Sequence, residues 1–226
     1  MLNVVHLWGI FFGTVVALLP IINPLAAAPT FLSITEGDSE QRRKEQALKG
    51  CFYMVAILVS FLIGGTFIMN FFGISIPGLR IAGGIMMTGI GMNMLATQKH
   101  GSKEVEEERE AARRKIDISF SPLAMPMLSG PGSIAVTLGF SSLATQVLDY
   151  VAIILGIITV AFVSYLVLRI SGKVVKFIGP VGMNAMTKIM GFLIMCIGVQ
   201  FVVNGILGIA TDPELLRSIK SALAGH

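Results

Sequence analysis

Two short runs of helix-breaking residues lie inside apolar segments. They are the part of this chain best suited to bind a polar ligand. The first run contains Asn23-Pro24 and the second contains Gly130-Pro131-Gly132. Proline removes a helix hydrogen bond and glycine loosens the backbone, so both runs predict an interrupted helix. An interruption leaves N–H groups that suit a carboxylate and carbonyl groups that suit an ammonium group or a small cation. A zwitterion such as a small amino acid fits both kinds of group.

The residues on either side of the two breaks are therefore the predicted substrate-binding residues. They are Asn23, Pro24, Leu25, Ala26, Ser129, Gly130, Pro131, Gly132 and Ser133. Because polar residues inside a membrane must find partners, a second set of uncharged polar residues is predicted to line a pore or to coordinate an ion. This set is Thr88, Asn93 and Gln200. For Asn93 and Gln200, a hydrogen bond between the two amides is the alternative.

The elements that position these residues are predicted to be membrane-spanning helices. The chain is 54% hydrophobic and 13% charged, against about 25% charged in soluble domains. Long blocks carry one charged residue or none, and each is long enough for the roughly 20 apolar residues of a span. We predict an all-α membrane protein with six transmembrane helices. Their approximate ranges are 4–35, 47–72, 78–98, 119–145, 149–171 and 184–209.

The chain also contains an internal repeat. A shift of 107 positions places Asn23-Pro24 on Gly130-Pro131, Gly84 on Gly191 and Asn93 on Gln200. Each copy holds three predicted spans, so the second copy must enter the membrane upside down relative to the first. The prediction is an inverted 3+3 repeat in which helices 1 and 4 are discontinuous, an arrangement typical of transporters. The predicted segments are 1–98 for the first repeat, 99–118 for a cytoplasmic linker, 119–210 for the second repeat and 211–226 for a short periplasmic tail.

The distribution of positive charge predicts the orientation. With the N-terminus outside, fourteen of the 17 Lys and Arg residues fall on the cytoplasmic side, as the positive-inside rule requires. Both termini are therefore predicted to lie outside, in the periplasm of a bacterial or archaeal cytoplasmic (inner) membrane. Orientation accounts for the formal charge of +4, and no basic stripe with interleaved aromatic residues indicates a nucleic-acid partner. The predicted partners are the lipid bilayer and a small-molecule substrate, with homo-oligomerisation left open.

Several kinds of chemistry are not expected from this sequence. No Asp, Glu or His lies well inside a predicted span, which argues against a carboxylate proton relay, and no nucleophile-and-base pattern indicates an enzyme. No phosphate-binding loop for ATP is present. Cys51 and Cys196 both fall in apolar spans and are expected to be packing residues, neither disulfide-bonded nor bound to metal. We expect no cofactor, apart from a coupling proton or sodium ion.

The motifs around the two breaks resemble those of a known family. NPLAAAPTFLSIT in the first span, PLAMPMLSGPGSI in the fourth and the glycine-rich third span are together similar to the MarC family of bacterial and archaeal inner-membrane proteins. That family is grouped with the LysE-type amino-acid exporters, and one archaeal relative transports glycine and other small neutral amino acids with a cation gradient. The resemblance implies a six-span transporter with discontinuous spans one and four. It implies a substrate site at Asn23, Pro24, Gly130, Pro131 and Gly132.

The sequence therefore favours a secondary transporter of small neutral amino acids, similar in size to glycine or alanine, that works by alternating access. Two alternatives remain open: an exporter of drug-like or other toxic small molecules, and a flippase for a lipid carrier. A flippase for a phosphate-bearing lipid would need cations at mid-depth, and the spans offer only Arg80 and Lys188, both near span ends.

Overall fold

All secondary structure in the described part of the chain is helical. The computed structural model describes residues 2–96 and 117–211. The helices are α1 (Leu2–Ile22), α2 (Pro24–Ile34), α3 (Glu40–Phe72), α4 (Ile76–Leu95), α5 (Ser119–Leu128), α6 (Pro131–Leu143), α7 (Val147–Arg169) and α8 (Ser171–Ala210). Most of the predicted linker 99–118 and nearly all of the predicted tail 211–226 lie outside the described residues.

Local sequence fixes where several of these helices begin. Ser39 and Ser75 precede α3 and α4, and each hydroxyl accepts a hydrogen bond from a backbone N–H of the first turn at 3.2 Å. Asp117 caps the start of α5 by accepting hydrogen bonds from the backbone N–H and the hydroxyl of Ser119. These bonds hold the pKa of the Asp117 carboxyl below its usual range.

The number of helices able to cross a membrane is smaller than the six predicted. Four described helices are long and apolar enough: Val4–Ile22, Glu40–Phe72, Val147–Arg169 and Val181–Ala210. The pair α5 and α6 makes a fifth if the two are counted as one bent span. Helix α4, where the third span was predicted, is not in this group because Arg80, Asn93 and its glycines lower its hydropathy. The six-span arrangement is thus not confirmed, whereas an all-helical membrane protein is.

Both predicted interruptions are present. In the first, α1 ends at Ile22 and α2 begins at Pro24, so one residue, Asn23, separates the two helices. In the second, α5 ends at Leu128, α6 begins at Pro131, and their axes are bent by 67°. The backbone leaves helical geometry at other points too: α5 is wound as a π-helix and is non-helical at Ser121 and Met125. The interruption of α8 was not predicted from the sequence: Gly179 divides this helix with a left-handed φ of 71°, which glycine adopts without a steric penalty.

The core lies against one face of α3. Met54, Leu58 and Leu62 follow each other at helical spacing and are fully buried. Around them pack buried side chains from the other helices, among them Leu18, Phe31, Leu123, Leu128, Ile153 and Ile157. The opposite face of α3 carries exposed phenylalanines, as expected of a helix whose outer surface meets lipid tails.

Helices α4 and α8 run antiparallel along a seam of glycines. A methyl group placed on Gly84 would lie 2.5 Å from the carbonyl oxygen of Gly198. One placed on Gly91 would lie 2.6 Å from the carbonyl oxygen of Gly191. The two backbones therefore touch along the seam, the close approach that small residues permit between membrane helices. The seam joins the two predicted repeats.

Positive charge gathers at one end of the bundle, where α3 begins and α7 ends. Arg43, Lys44, Arg169 and Lys173 line one cleft there, together with Glu40. The structure thus places cations from both halves of the chain on a common face. Which side of the membrane this face meets stays a prediction.

We predict that the glycine seam does not tolerate a single methyl group. Gly84→Ala should lower the free energy of unfolding by about 1–3 kcal/mol, because the new methyl meets backbone that cannot rotate away. The matched control is Gly89→Ala on the same helix, where a methyl group meets nothing within 4 Å and alanine raises helix propensity. Thermal unfolding in detergent measures both variants. Equal melting temperatures for the two variants would contradict the close backbone contact at Gly84.

Candidate substrate-binding site

The first break is formed by Asn23, which has φ 43° and ψ 65°. Asparagine enters this left-handed region more easily than most residues because its short side chain can bond nearby backbone. Here its side-chain oxygen accepts from the N–H of Ala26 at 3.2 Å and caps α2. Pro24 follows at the first helical position, where its missing N–H costs nothing. The helix axis therefore changes direction within one residue.

The second break, around Ser129 and Gly130, lacks such a cap. Gly130 is extended, with φ −69° and ψ 170°, and no side chain caps α6. The Gly130 carbonyl oxygen accepts from the Ser133 hydroxyl at 2.8 Å and from the N–H of Ile134 at 3.1 Å. Within the described residues, the backbone N–H groups of Gly132 and Ser133 have no acceptor. This helix start therefore keeps two free donors at the positive end of its dipole.

The two breaks lie next to each other. A methyl group on Gly132 would lie 3.3 Å from the side chain of Ile21, the second-last residue of α1. The same methyl group would lie 3.2 Å from the Met87 side chain on α4. Gly132 therefore occupies the place where α1, α4 and α6 converge, and its lack of a side chain lets them meet. The surroundings of Gly132 are close-packed, so a ligand at this position must be small.

Each break also holds a buried polar atom without a partner. The Asn23 side-chain nitrogen and the Ser129 hydroxyl have no hydrogen-bond partner, although Asn23 is 6% exposed and Ser129 is 0% exposed. A buried donor or acceptor left unpaired costs about 1–3 kcal/mol. The structure thus places two unsatisfied polar side chains, one from each half of the chain, at the two interruptions. Ser141 and Ser164 share this property elsewhere in the bundle.

The predicted substrate-binding residues therefore fall into two adjacent groups. Asn23 and Pro24 are buried at the first break, with Leu25 and Ala26 half-buried in the first turn of α2. At the second break Ser129, Gly132 and Ser133 are buried, whereas Pro131 is exposed. Their role in binding remains a prediction.

The residues predicted to line a pore or bind an ion are not at the breaks. The Thr88 hydroxyl donates to the Gly84 carbonyl oxygen at 2.8 Å, within the α4–α8 seam. Asn93 is exposed, and so is Gln200, which donates to the Asn204 side-chain oxygen at 2.9 Å.

A hydrogen bond between Asn93 and Gln200, one of the alternatives, is wrong. The seam brings Gly191 opposite Gly91, close to Asn93 in sequence. Gln200 lies nine residues beyond Gly191, or about 13 Å along the helix. The repeat matches the two amides in sequence, but antiparallel packing places them at opposite ends of the seam.

One feature of the fold was missed by the sequence prediction: Arg80 lines a cavity of about 250 Å³ between α1, α4, α6 and α8. In sequence it counted only as a cation near a span end. No group of three or more His, Cys, Asp or Glu side chains that could hold a metal ion occurs in residues 2–96 and 117–211. Cys51 is a buried free thiol, as expected of a packing residue, whereas Cys196 is a free thiol on the exposed surface and not in the core.

Long apolar helices and paired interruptions define an integral, multi-pass membrane protein of the all-helical class. The model of the MarC family integral membrane proteins matches residues 8–210. The chain therefore belongs to the MarC family, as its motifs indicated, and is an inner-membrane protein.

Curated relatives support the same assignment. The chain is 38% identical over 209 residues to the UPF0056 inner membrane protein MarC of Citrobacter koseri. It is 39% identical over 209 residues to the protein of the same name from Escherichia coli strain SMS-3-5. Each alignment covers 86% of this chain and 92% of the relative. No solved structure matches the chain.

The geometry of the first break predicts how Asn23 contributes to stability. Asn23→Ala should cost about 1–2 kcal/mol, since it removes the cap of α2 and places a Cβ-bearing residue without a local hydrogen bond in the left-handed region. Asn23→Gly removes the cap but adopts the same backbone freely, so it should be the more stable of the two variants. Melting temperatures in detergent compare them. An alanine variant as stable as the glycine variant would contradict the left-handed geometry.

Proposed function

We propose that this protein is a secondary transporter of small neutral amino acids, with glycine and alanine as the model substrates. The observation that carries the proposal is the pair of buried, unpartnered polar atoms, Asn23 Nδ2 and Ser129 Oγ, at two adjacent helix interruptions. Membership of a family grouped with LysE-type amino-acid exporters, and the resemblance to the archaeal transporter SnatA, point in the same direction.

The two breaks offer complementary groups to a zwitterion. The free N–H groups of Gly132 and Ser133, at the positive end of α6, suit a carboxylate. The Asn23 side-chain NH₂ adds a further donor. Because Pro24 has no N–H, the carbonyl oxygen of Pro20 loses its helical partner, and such end-of-helix carbonyls, with the Ser129 hydroxyl, suit an ammonium group. The close packing at Gly132 limits the substrate to a small side chain.

We propose that the chain is an inverted repeat, an architecture common among transporters that work by alternating access. A shift of 107 positions takes the first residue of α2, Pro24, to the first residue of α6, Pro131, and the first residue of α3 to that of α7. It also takes the contact between Gly84 and Gly198 to the contact between Gly191 and Gly91. Contacts that exchange partners in this way are what a two-fold axis within the membrane plane produces. Rocking of the halves about that axis would expose the breaks to each side in turn.

The proposal also covers orientation and energy coupling. Both termini face the periplasm. Transport is driven by exchange, or by a proton or sodium ion bound through neutral oxygens. The proposed role is that of a transporter and not of an enzyme. Pairing with further copies of the chain would cover part of the apolar outer surface.

Transport by purified protein tests the proposal. Proteoliposomes should show saturable counterflow of labelled glycine or alanine and little of leucine. In Ser129→Ala, the apparent affinity should fall about tenfold to hundredfold, the effect of losing one hydrogen bond to a charged group. The exporter alternative would be favoured if no amino acid of a panel showed saturable flux and a drug-like compound protected the protein from thermal unfolding.

The matched control for this variant is Ser141→Ala. Ser141 is also buried and unpartnered, and it lies on the same helix, α6, but faces Gly65 of α3 and not the breaks. Ser141→Ala should transport normally. Both alanine variants should fold at least as well as the wild type, since each removes an unsatisfied hydroxyl. Equal loss of transport in the two variants would show that Ser129 has no special role.

A further inference from the structure

The cavity beside Arg80 contains an isolated positive charge. Arg80 is half-buried on α4, and within the described residues no carboxylate lies within ion-pair distance of it. It also lies just over one turn from the start of α4 at Ile76, near the positive end of that helix dipole, where a cation is unfavourable. Charged residues in membrane bundles are costly and mark binding sites or ion paths. Within residues 2–96 and 117–211, the positive potential in this cavity is therefore not balanced by a carboxylate.

The second polar group of the cavity is also a donor. Asn204 of α8 lines the same cavity. This exposed side chain accepts from Gln200 Nε2 at 2.9 Å through its oxygen, which leaves its NH₂ group to donate. The guanidinium of Arg80 and the NH₂ of Asn204 thus present hydrogen-bond donors together. A guanidinium binds a carboxylate through two parallel hydrogen bonds.

The rest of the cavity is apolar and small. Its walls include Ala17, Val136, Phe140 and Phe201, and its volume is about 250 Å³. That is below the range of about 300–1,000 Å³ for drug-sized ligands. A short aliphatic chain bearing one carboxylate matches both the donors and the walls.

The cavity lies on the same helices as the two breaks. Ala17 lies six residues before Asn23, and Val136 lies six residues after Gly130. Along a helix, six residues correspond to about 9 Å. The cavity therefore lies between the breaks and the end of the bundle at which α1 begins and α6 ends.

We propose that Arg80 and Asn204 form a carboxylate-binding site at the mouth of the path to the breaks. The site recognises small aliphatic carboxylates, including amino acids. Its role as an antechamber in transport rests on the proposed function, but the binding itself does not. The site would select for a carboxylate before the substrate reaches the close-packed surroundings of Gly132.

Binding of propionate and propionamide tests the proposal, because the two probes have nearly the same shape and differ in charge. Propionate should raise the melting temperature of the purified wild-type protein, and propionamide should not. In Arg80→Gln, propionate should bind about tenfold to hundredfold more weakly, and Arg80→Lys should fall between. The control is Lys188→Gln, which removes the half-buried cation of α8 that does not line the cavity. It should bind propionate as the wild type does.

A further variant tests the site without removing the arginine. Asn204→Asp places a carboxylate of the protein within the cavity, so it should stabilise the fold through Arg80 and abolish the propionate response. Equal responses to propionate and propionamide in the wild type, or unchanged propionate binding in Arg80→Gln, would overturn the proposal.

Transport measurements separate this proposal from the proposed function. If propionate binding depends on Arg80 but no amino acid is transported, the carboxylate site stands and the transport function fails. If amino acids are transported with the same KM in Arg80→Gln and the wild type, the transport function stands and the antechamber role of Arg80 fails.

Discussion

The architecture depends on one constraint: within lipid, every backbone N–H and C=O group must find its partner inside the protein or on a bound molecule. An uninterrupted helix meets this requirement with its own hydrogen bonds. A broken helix does not, and this chain breaks two helices in the middle of its apolar segments. The N–H and C=O groups freed at the breaks must then face each other, water or a bound ligand, and not the lipid. The convergence of α1, α4 and α6 at Gly132 brings the two breaks together within the bundle.

The two breaks meet the constraint by different means. Asn23 supplies a side-chain oxygen to its own helix, so the start of α2 is largely satisfied. Gly130 has no side chain to supply, and the start of α6 keeps its free donors. A bound zwitterion would therefore place its carboxylate toward α6 and its ammonium group toward the end of α1. The halves match in sequence position, but under the proposed function they offer different groups to the substrate.

How much the sequence could predict differs between features. The interruptions at Asn23-Pro24 and Gly130-Pro131 were predictable because proline and glycine act on the backbone locally. The long apolar segments were predictable because composition alone identifies them. The positions of Asn93 and Gln200 were not, because the face and level of a side chain depend on how α4 and α8 pack. Arg80 shows the same limit: the sequence places it near a helix end, but only the packing of four helices makes it part of a cavity.

The glycine seam between α4 and α8 has a consequence for the origin of the fold. Two of its contacts, Gly84 with Gly198 and Gly91 with Gly191, are made by corresponding residues of the two halves with their roles exchanged. Such a surface is self-complementary, as in an isologous dimer. A half-length ancestor inserted into the membrane in both directions could form this surface with a second copy of itself. Gene fusion would then have fixed in one polypeptide a pairing that two separate chains could already make.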